Sequence, residues 1–170
     1  TNRDGTRSCV YVCSLCGNMA LDAFKYCPNC GSRNEVDEND LAATHVAEQL
    51  GEDIRQGFKT LVLRGDKNGL LVCVIPGDKE VDLKKAAKLS GNKKVEMIAM
   101  KELLPLTGYI RGGCSPIGMK KRFPTFFHTS ALDFDTIYVI AGVRGLQLEI
   151  NPSELIRFVS ASTADVASFA

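Results

Sequence analysis

The sequence predicts an α+β fold built on a mixed β-sheet. Three observations carry that expectation. Strand-like apolar runs outnumber helical ones, the first two runs are joined by a short glycine-bounded loop, and the helical segments are brief and clearly capped.

In chain order, Ser32 to Asp40 is a polar, mostly acidic run that reads as a linker or long entry loop between a module over 1–37 and a domain over 38–170. Asp40 can cap a helix that runs to about Leu50 and stops at Gly51. Thr60–Leu63 and Leu70–Ile75 then form a hairpin through Gly65-Asp66-Lys67-Asn68-Gly69. Asp82 caps a second helix with Leu83, Ala86 and Ala87 on one face, Lys84, Lys85 and Lys88 displayed, and Gly91 as its end. After Val95 to Ala99 and a helical turn near Lys101 to Leu104, Gly108 to Gly118 is too rich in glycine and proline for regular structure. Strands are expected at Thr125–Phe127, Ile137–Ile140 and Leu146–Ile150. Asn151-Pro152-Ser153-Glu154 then opens a helix with a cap, a first-turn proline and an acid.

The chain has 170 residues, 45% hydrophobic and 24% charged, which excludes disorder and fibres. Its longest apolar stretch, Leu70 to Ile75, is far below the roughly 20 residues that span a bilayer. The start, Thr1-Asn2-Arg3-Asp4, is too polar for a signal peptide, so a soluble protein is expected. The net charge of +1 conceals an asymmetry. From Lys84 to Arg122 there are ten basic residues (Lys84, Lys85, Lys88, Lys93, Lys94, Lys101, Arg111, Lys120, Lys121, Arg122) and two acidic ones (Glu96, Glu102), net +8. The remainder holds eleven basic against eighteen acidic residues, net −7. Such a split suits a phosphate backbone, although solvated helix faces would give the same count.

Cys13-x-x-Cys16-Gly17 and Cys27-x-x-Cys30-Gly31 are two C-x2-C turns separated by ten residues. Four thiolates on two tight turns make a closed tetrahedral site, so these cysteines are expected to hold a structural zinc in a small ribbon. Rubredoxin-like iron, a pair of disulfides and coincidence are the competing readings. Zinc fits a reducing, cytoplasmic compartment. Cys9 is a spare thiol near the set.

Tyr109 to Gly118 offers backbone amides unencumbered by side chains, which suits close approach to a carbonyl or phosphate and equally suits a ligand-free turn. Lys59 precedes an apolar strand and can face solvent or a pocket. Cys114 beside Ser115 suggests a nucleophile, but the two histidines, His45 and His128, stand in no triad pattern.

These stretches in order, from Asp40 to Ala167, resemble the YbaK/EbsC, or prolyl-tRNA-synthetase-associated, family of aminoacyl-tRNA editing domains. The resemblance runs through Phe58-Lys59-Thr60-Leu61, Val81 to Ala87, Lys93 to Met97 and Thr107 to Gly118. It continues through Lys120 to Thr125, Thr136 to Val139 and Gly142 to Leu146. It implies a partly barrel-like sheet with flanking helices, and deacylation of mischarged tRNA, typically Cys on proline tRNA, without a catalytic cofactor. tRNA is the implied partner, with prolyl-tRNA synthetase as a further one and no membrane. Lys59 corresponds to the family's essential lysine, and Gly112 to Pro116 to the loop that holds the ester. Amides of Gly112 to Ser115 would then donate to the ester oxygen, each worth about 2.7–4 kcal/mol. The catalytic residues implied are Lys59, Gly112 and Ser115, with Thr60, Gly113, Cys114, Pro116 and Arg144 binding substrate. Lys84, Lys85, Lys88, Lys120, Lys121 and Arg122 would meet tRNA phosphates. The nucleophile would be the thiol of the mischarged cysteine itself. Two positions depart from the family pattern: no tyrosine matches the family's pocket tyrosine, Tyr26 included, and Gln147 stands where an acid is usual. A non-catalytic module that binds tRNA or a synthetase is the alternative.

The cysteine spacing predicts about one zinc per chain by elemental analysis of the purified protein. A fully folded, metal-free protein would contradict it.

Overall fold

The computed structural model describes residues 11–12, 19–20, 55–144 and 146–169. Strands β1 (Tyr11–Val12) and β2 (Met19–Ala20) pair antiparallel, and Cys13 and Cys16 fall between them in sequence. The four cysteines expected to bind zinc, Cys13, Cys16, Cys27 and Cys30, lie outside the described residues, as do Cys9, His45, the Ser32–Asp40 linker and the helix expected from Asp40.

The expected hairpin is β3 (Gly57–Gly65) against β4 (Leu70–Pro76), closed by a bond from Gly65 N to Gly69 O. Buried Asn92 ties this turn down, its Oδ1 accepting from Lys67 N and Asn68 N. Next come β5 (Lys79–Val81) and α1 (Leu83–Leu89). Asp82 caps α1 as predicted, its carboxylate accepting from Lys84 N and Lys85 N. Ala86 and Ala87 are buried, whereas Leu83, grouped with them by periodicity, is exposed.

β6 (Val95–Met97) leads to α2 (Met100–Thr107), a full helix where only a turn near Lys101 to Leu104 was expected. Glu102 stabilises its start by accepting from Ala99 N, and Arg64 pairs with the same carboxylate at 2.8 Å. After the irregular stretch come β7 (Thr125–His128), a 3-10 turn η1 (Thr129–Asp133), β8 (Ile137–Ile140) and β9 (Gln147–Ile150). Helix α3 (Pro152–Phe158) starts as the sequence indicates, with Asn151 Oδ1 accepting from Glu154 N. β10 (Ser162–Ala164) and β11 (Ala167–Phe169) end the described chain. No helix among the described residues is long and apolar enough to cross a membrane.

Seven strands form the mixed sheet expected, in the order β10-β7-β4-β3-β8-β9, with β6 also on β3. The pairs β10–β7, β7–β4 and β3–β8 are parallel, while β3–β4, β3–β6 and β8–β9 are antiparallel. β11 pairs antiparallel with β5 in a separate ribbon.

Because side chains alternate along a strand, the sheet divides the core in two. Phe58, Val62, Val72, Val74 and Phe127 face one cluster, which also holds Cys114. Leu63, Leu71, Cys73 and Ile75 face the other, against Ala86, Ala87 and Val166.

Asp165, between β10 and β11, fastens the C-terminal strands. Its carboxylate takes Lys85 Nζ at 2.6 Å and lies 3.4 Å from His128 Nε2. The hydrogen bond from Lys85 holds the Asp165 carboxyl below its usual range. Burial, then the charge of Lys79, lowers the His128 value against the opposing pull of Asp165. A depressed histidine means the unfolded chain binds the proton first, so stability is complete above about pH 6.5 and declines as pH falls from there through the lowered folded value. Thermal unfolding is therefore expected at lower temperature at pH 5 than at pH 7, with the difference reduced in His128→Gln. An unchanged difference in that variant would contradict the assignment.

Candidate functional site

β3 is bordered on one edge by two different strands. β8 pairs with Gly57 and Phe58, and β6 with Leu63, Arg64 and Gly65. Between these pairings, from Lys59 to Leu61, no strand is laddered to that edge among the described residues, and Ile98 N reaches Val62 O at 3.3 Å just beyond.

Thr60 shares the face of Phe58 and Val62, toward the first cluster. Its Oγ1 is buried with no hydrogen-bond partner. A buried hydroxyl left unpaired costs on the order of 1–3 kcal/mol, and such a group marks a place where a ligand atom would complete the bonding.

The glycine-rich stretch packs on this same side. Tyr109 is its strut: the phenol donates to Ile117 O, and the ring lies along Gly142. Burial raises the Tyr109 value, so the phenol keeps its proton for that bond. Gly118 adopts φ +74°, and a Cβ there would stand 2.8 Å from Tyr109 Oη, so glycine is required twice over. Gly113 comes so close to the chain at Gly142 that an added Cβ would be 3.2 Å from Gly142 O. Arg144 Nε completes the join by donating to Arg111 O at 3.0 Å.

Gly113, Cys114, Ser115 and Pro116 are buried. The Gly113 amide is spent on Ile110 O at 3.0 Å, so the expected row of donors is interrupted there. The amides of Gly112, Cys114 and Ser115 donate to no backbone acceptor among the described residues. Ser115 Oγ accepts from Ile117 N and shapes the turn. Burial pushes the Cys114 thiol up to about 11 and the Cys73 thiol up to about 12, so both are protonated near neutrality and neither is a ready nucleophile.

Gly112, Gly113, Cys114, Ser115, Pro116 and Arg144 are thus brought together, with Thr60 on the same side of the sheet. Lys59 is placed differently. Alternation sets it with Leu61 and Leu63 on the second face, where its Nζ lies 3.6 Å from Glu80 Oε1. His128 follows Phe127 on β7 and also turns to that second face, toward Asp165 and Lys85. Gln147 is buried in β9 opposite Ile140. Lys84, Lys85 and Lys88 ride on α1, and Lys120, Lys121 and Arg122 follow the glycine-rich stretch. Sequence reasoning missed Tyr109 as the strut, although a tyrosine among glycines, with a hydroxyl to satisfy, was the available signal.

Residues 38–158 match the aminoacyl-tRNA editing domain family. The chain is 51% identical over 131 residues to a candidate Cys-tRNA(Pro)/Cys-tRNA(Cys) deacylase, EbsC, of Enterococcus faecalis, covering 77% of this chain and 80% of that protein. It is also 33% identical over 76 residues to a proline–tRNA ligase of Thermosipho africanus, covering 45% of this chain and 13% of the ligase. Among solved structures, a candidate trans-editing enzyme for prolyl-tRNA synthetase superposes with a TM-score of 0.71 at 27% identity, over 79% of this chain and 84% of that one.

The strut makes a direct prediction. Gly118→Ala combines a left-handed backbone, costing an alanine about 1–2 kcal/mol, with a clash against the Tyr109 hydroxyl. Denaturant titration should show at least that loss, and wild-type stability would contradict the packing described.

Proposed function

The chain belongs to the aminoacyl-tRNA editing domain family, and from that premise we propose that it is a trans-editing deacylase that releases cysteine from proline tRNA by cleaving the 3′-aminoacyl ester. The observation that carries the reading is the meeting, on one side of the sheet, of a buried unpaired hydroxyl at Thr60 with a loop whose amides at Gly112, Cys114 and Ser115 donate to no backbone acceptor among the described residues. A 51% identical relative named for the same activity supports it.

The ester carbonyl lies against the loop, and its oxygen takes N–H donors as negative charge develops, a contribution of about 2.7–4 kcal/mol per donor. Thr60 Oγ1 supplies a further donor to the aminoacyl group. With the thiols of Cys73 and Cys114 protonated and His128 on the other face, the nucleophile comes from the substrate. The thiol sulfur of the esterified cysteine bonds to its own carbonyl carbon, the ester C–O bond breaks, and the thiol proton passes to the departing ribose oxygen. Water then opens the thiolactone to free cysteine. Lys59 serves the nucleotide. Its pairing with the largely exposed Glu80 is worth about 0–1 kcal/mol, so the ammonium leaves it cheaply and reaches a ribose or phosphate oxygen through the unladdered edge of β3. In the same reading Cys13, Cys16, Cys27 and Cys30 hold one structural zinc, supported by their spacing. A prolyl-tRNA synthetase is the partner that presents the tRNA.

Incubation with Cys-tRNA(Pro) should release cysteine, and Lys59→Ala should abolish the release. Thr60→Val should lower kcat/KM by about two- to twelve-fold, the value of one hydrogen bond, while leaving stability equal or higher because an unpaired buried hydroxyl is gone. Release no faster than in buffer would leave a tRNA-binding module in place of an enzyme.

A further inference from the structure

The fold separates cations that the sequence groups together. Lys84, Lys85 and Lys88 stand on α1, which packs through Ala86 and Ala87 on the second cluster, and Lys85 is committed to Asp165. The loop that carries the amide donors packs on the first cluster, across the sheet from α1.

Around that loop five other cations gather. At one arm Arg144 binds the backbone of Arg111. At the other arm Lys120 N donates to Thr107 O at 3.1 Å, and the Lys120 stem lies against Gly108, where an added Cβ would meet its Cγ at 3.4 Å. Lys121 and Arg122 follow directly. All five are exposed, and among the described residues none of them pairs with a carboxylate. The exposed Ile110 between Tyr109 and Arg111 adds an apolar spot at the rim. Cations left uncompensated on both arms of one loop attract a polyanion to it.

We propose that Arg111, Arg144, Lys120, Lys121 and Arg122 form a collar for the phosphates of the unpaired 3′ end of tRNA, and that α1 takes no part in binding it. The inference rests on the deacylase reading above for the identity of the RNA. An ester seated on the loop leaves its last few phosphates beside the residues that flank the loop. Those phosphates belong to a single strand, and α1 lies across the sheet from them.

The test is fluorescence anisotropy of the full-length chain with a labelled, uncharged RNA ending in an unpaired ACCA, across a range of salt. Each phosphate contact to a single strand contributes about 0.7 to the slope of log K against log salt, which is about five-fold in affinity at about 0.1 M salt. The pair Arg111→Gln with Arg144→Gln should lower the slope by about 1.4 and weaken binding about 25-fold. A second pair, Lys121→Gln with Arg122→Gln, should do the same and leaves the Arg111–Arg144 bond intact. The corresponding Lys84→Gln and Lys88→Gln pair is the decisive comparison. A slope held at the parent value supports the collar, and a loss equal to that of the collar variants overturns it. Because uncharged RNA is not hydrolysed, weakened binding in collar variants of a protein that releases no cysteine removes the deacylase reading alone. Deacylation with unaltered collar slopes removes the collar alone.

Discussion

The alternation of β3 is the constraint on which the site depends. Phe58, Thr60 and Val62 face one core and Lys59, Leu61 and Leu63 the other, so a hydroxyl and an ammonium one residue apart are delivered to opposite sides of the sheet. The same strand changes neighbours along its edge, from β8 to β6, and in the interval between them that edge carries no strand ladder among the described residues.

Rigidity comes from the loop's strut. Tyr109 fills the space vacated at Gly118 and Gly142 and spends its hydroxyl on Ile117 O, so the peptide units from Gly112 to Ser115 are held by packing. Fixed dipoles cost no reorganisation when charge develops on a bound oxygen, which is why a loop with little side-chain chemistry can still serve a reaction. The protein contributes no activated nucleophile among the described residues: Cys114 and Cys73 are both held protonated by burial. That poverty matches a substrate that brings its own thiol. It also suggests why the architecture invests in placement, since an attack within the substrate needs orientation above all.

Much of the frame was legible in the sequence because its signals are local. Asp82 and Asn151 announce helix starts by chemistry that acts within three residues, and Gly65 to Gly69 announces a hairpin in the same way. The glycine-rich stretch was legible as irregular, and its residues do assemble. β5, β10 and β11 were missed because three residues carry too little pattern to establish a period. The direction of Lys59 was hidden for a different reason. β3 is covered on both faces, so Leu61, Val62 and Leu63 are apolar in succession, and the period-two signal that would have assigned the lysine to a face is erased. The division of the basic residues between two faces was likewise invisible, because it follows from topology.

The most direct measurement of the account is a crystal structure of the protein with a non-hydrolysable analogue, cysteine joined by an amide to the 3′ position of adenosine. The amide oxygen should lie within hydrogen-bond distance of the N–H groups of Gly112, Cys114 or Ser115, with Thr60 Oγ1 bonded to the aminoacyl portion. An analogue seated on the second face beside Lys59 and Glu80, with the loop amides and Thr60 left without a partner, would contradict the account.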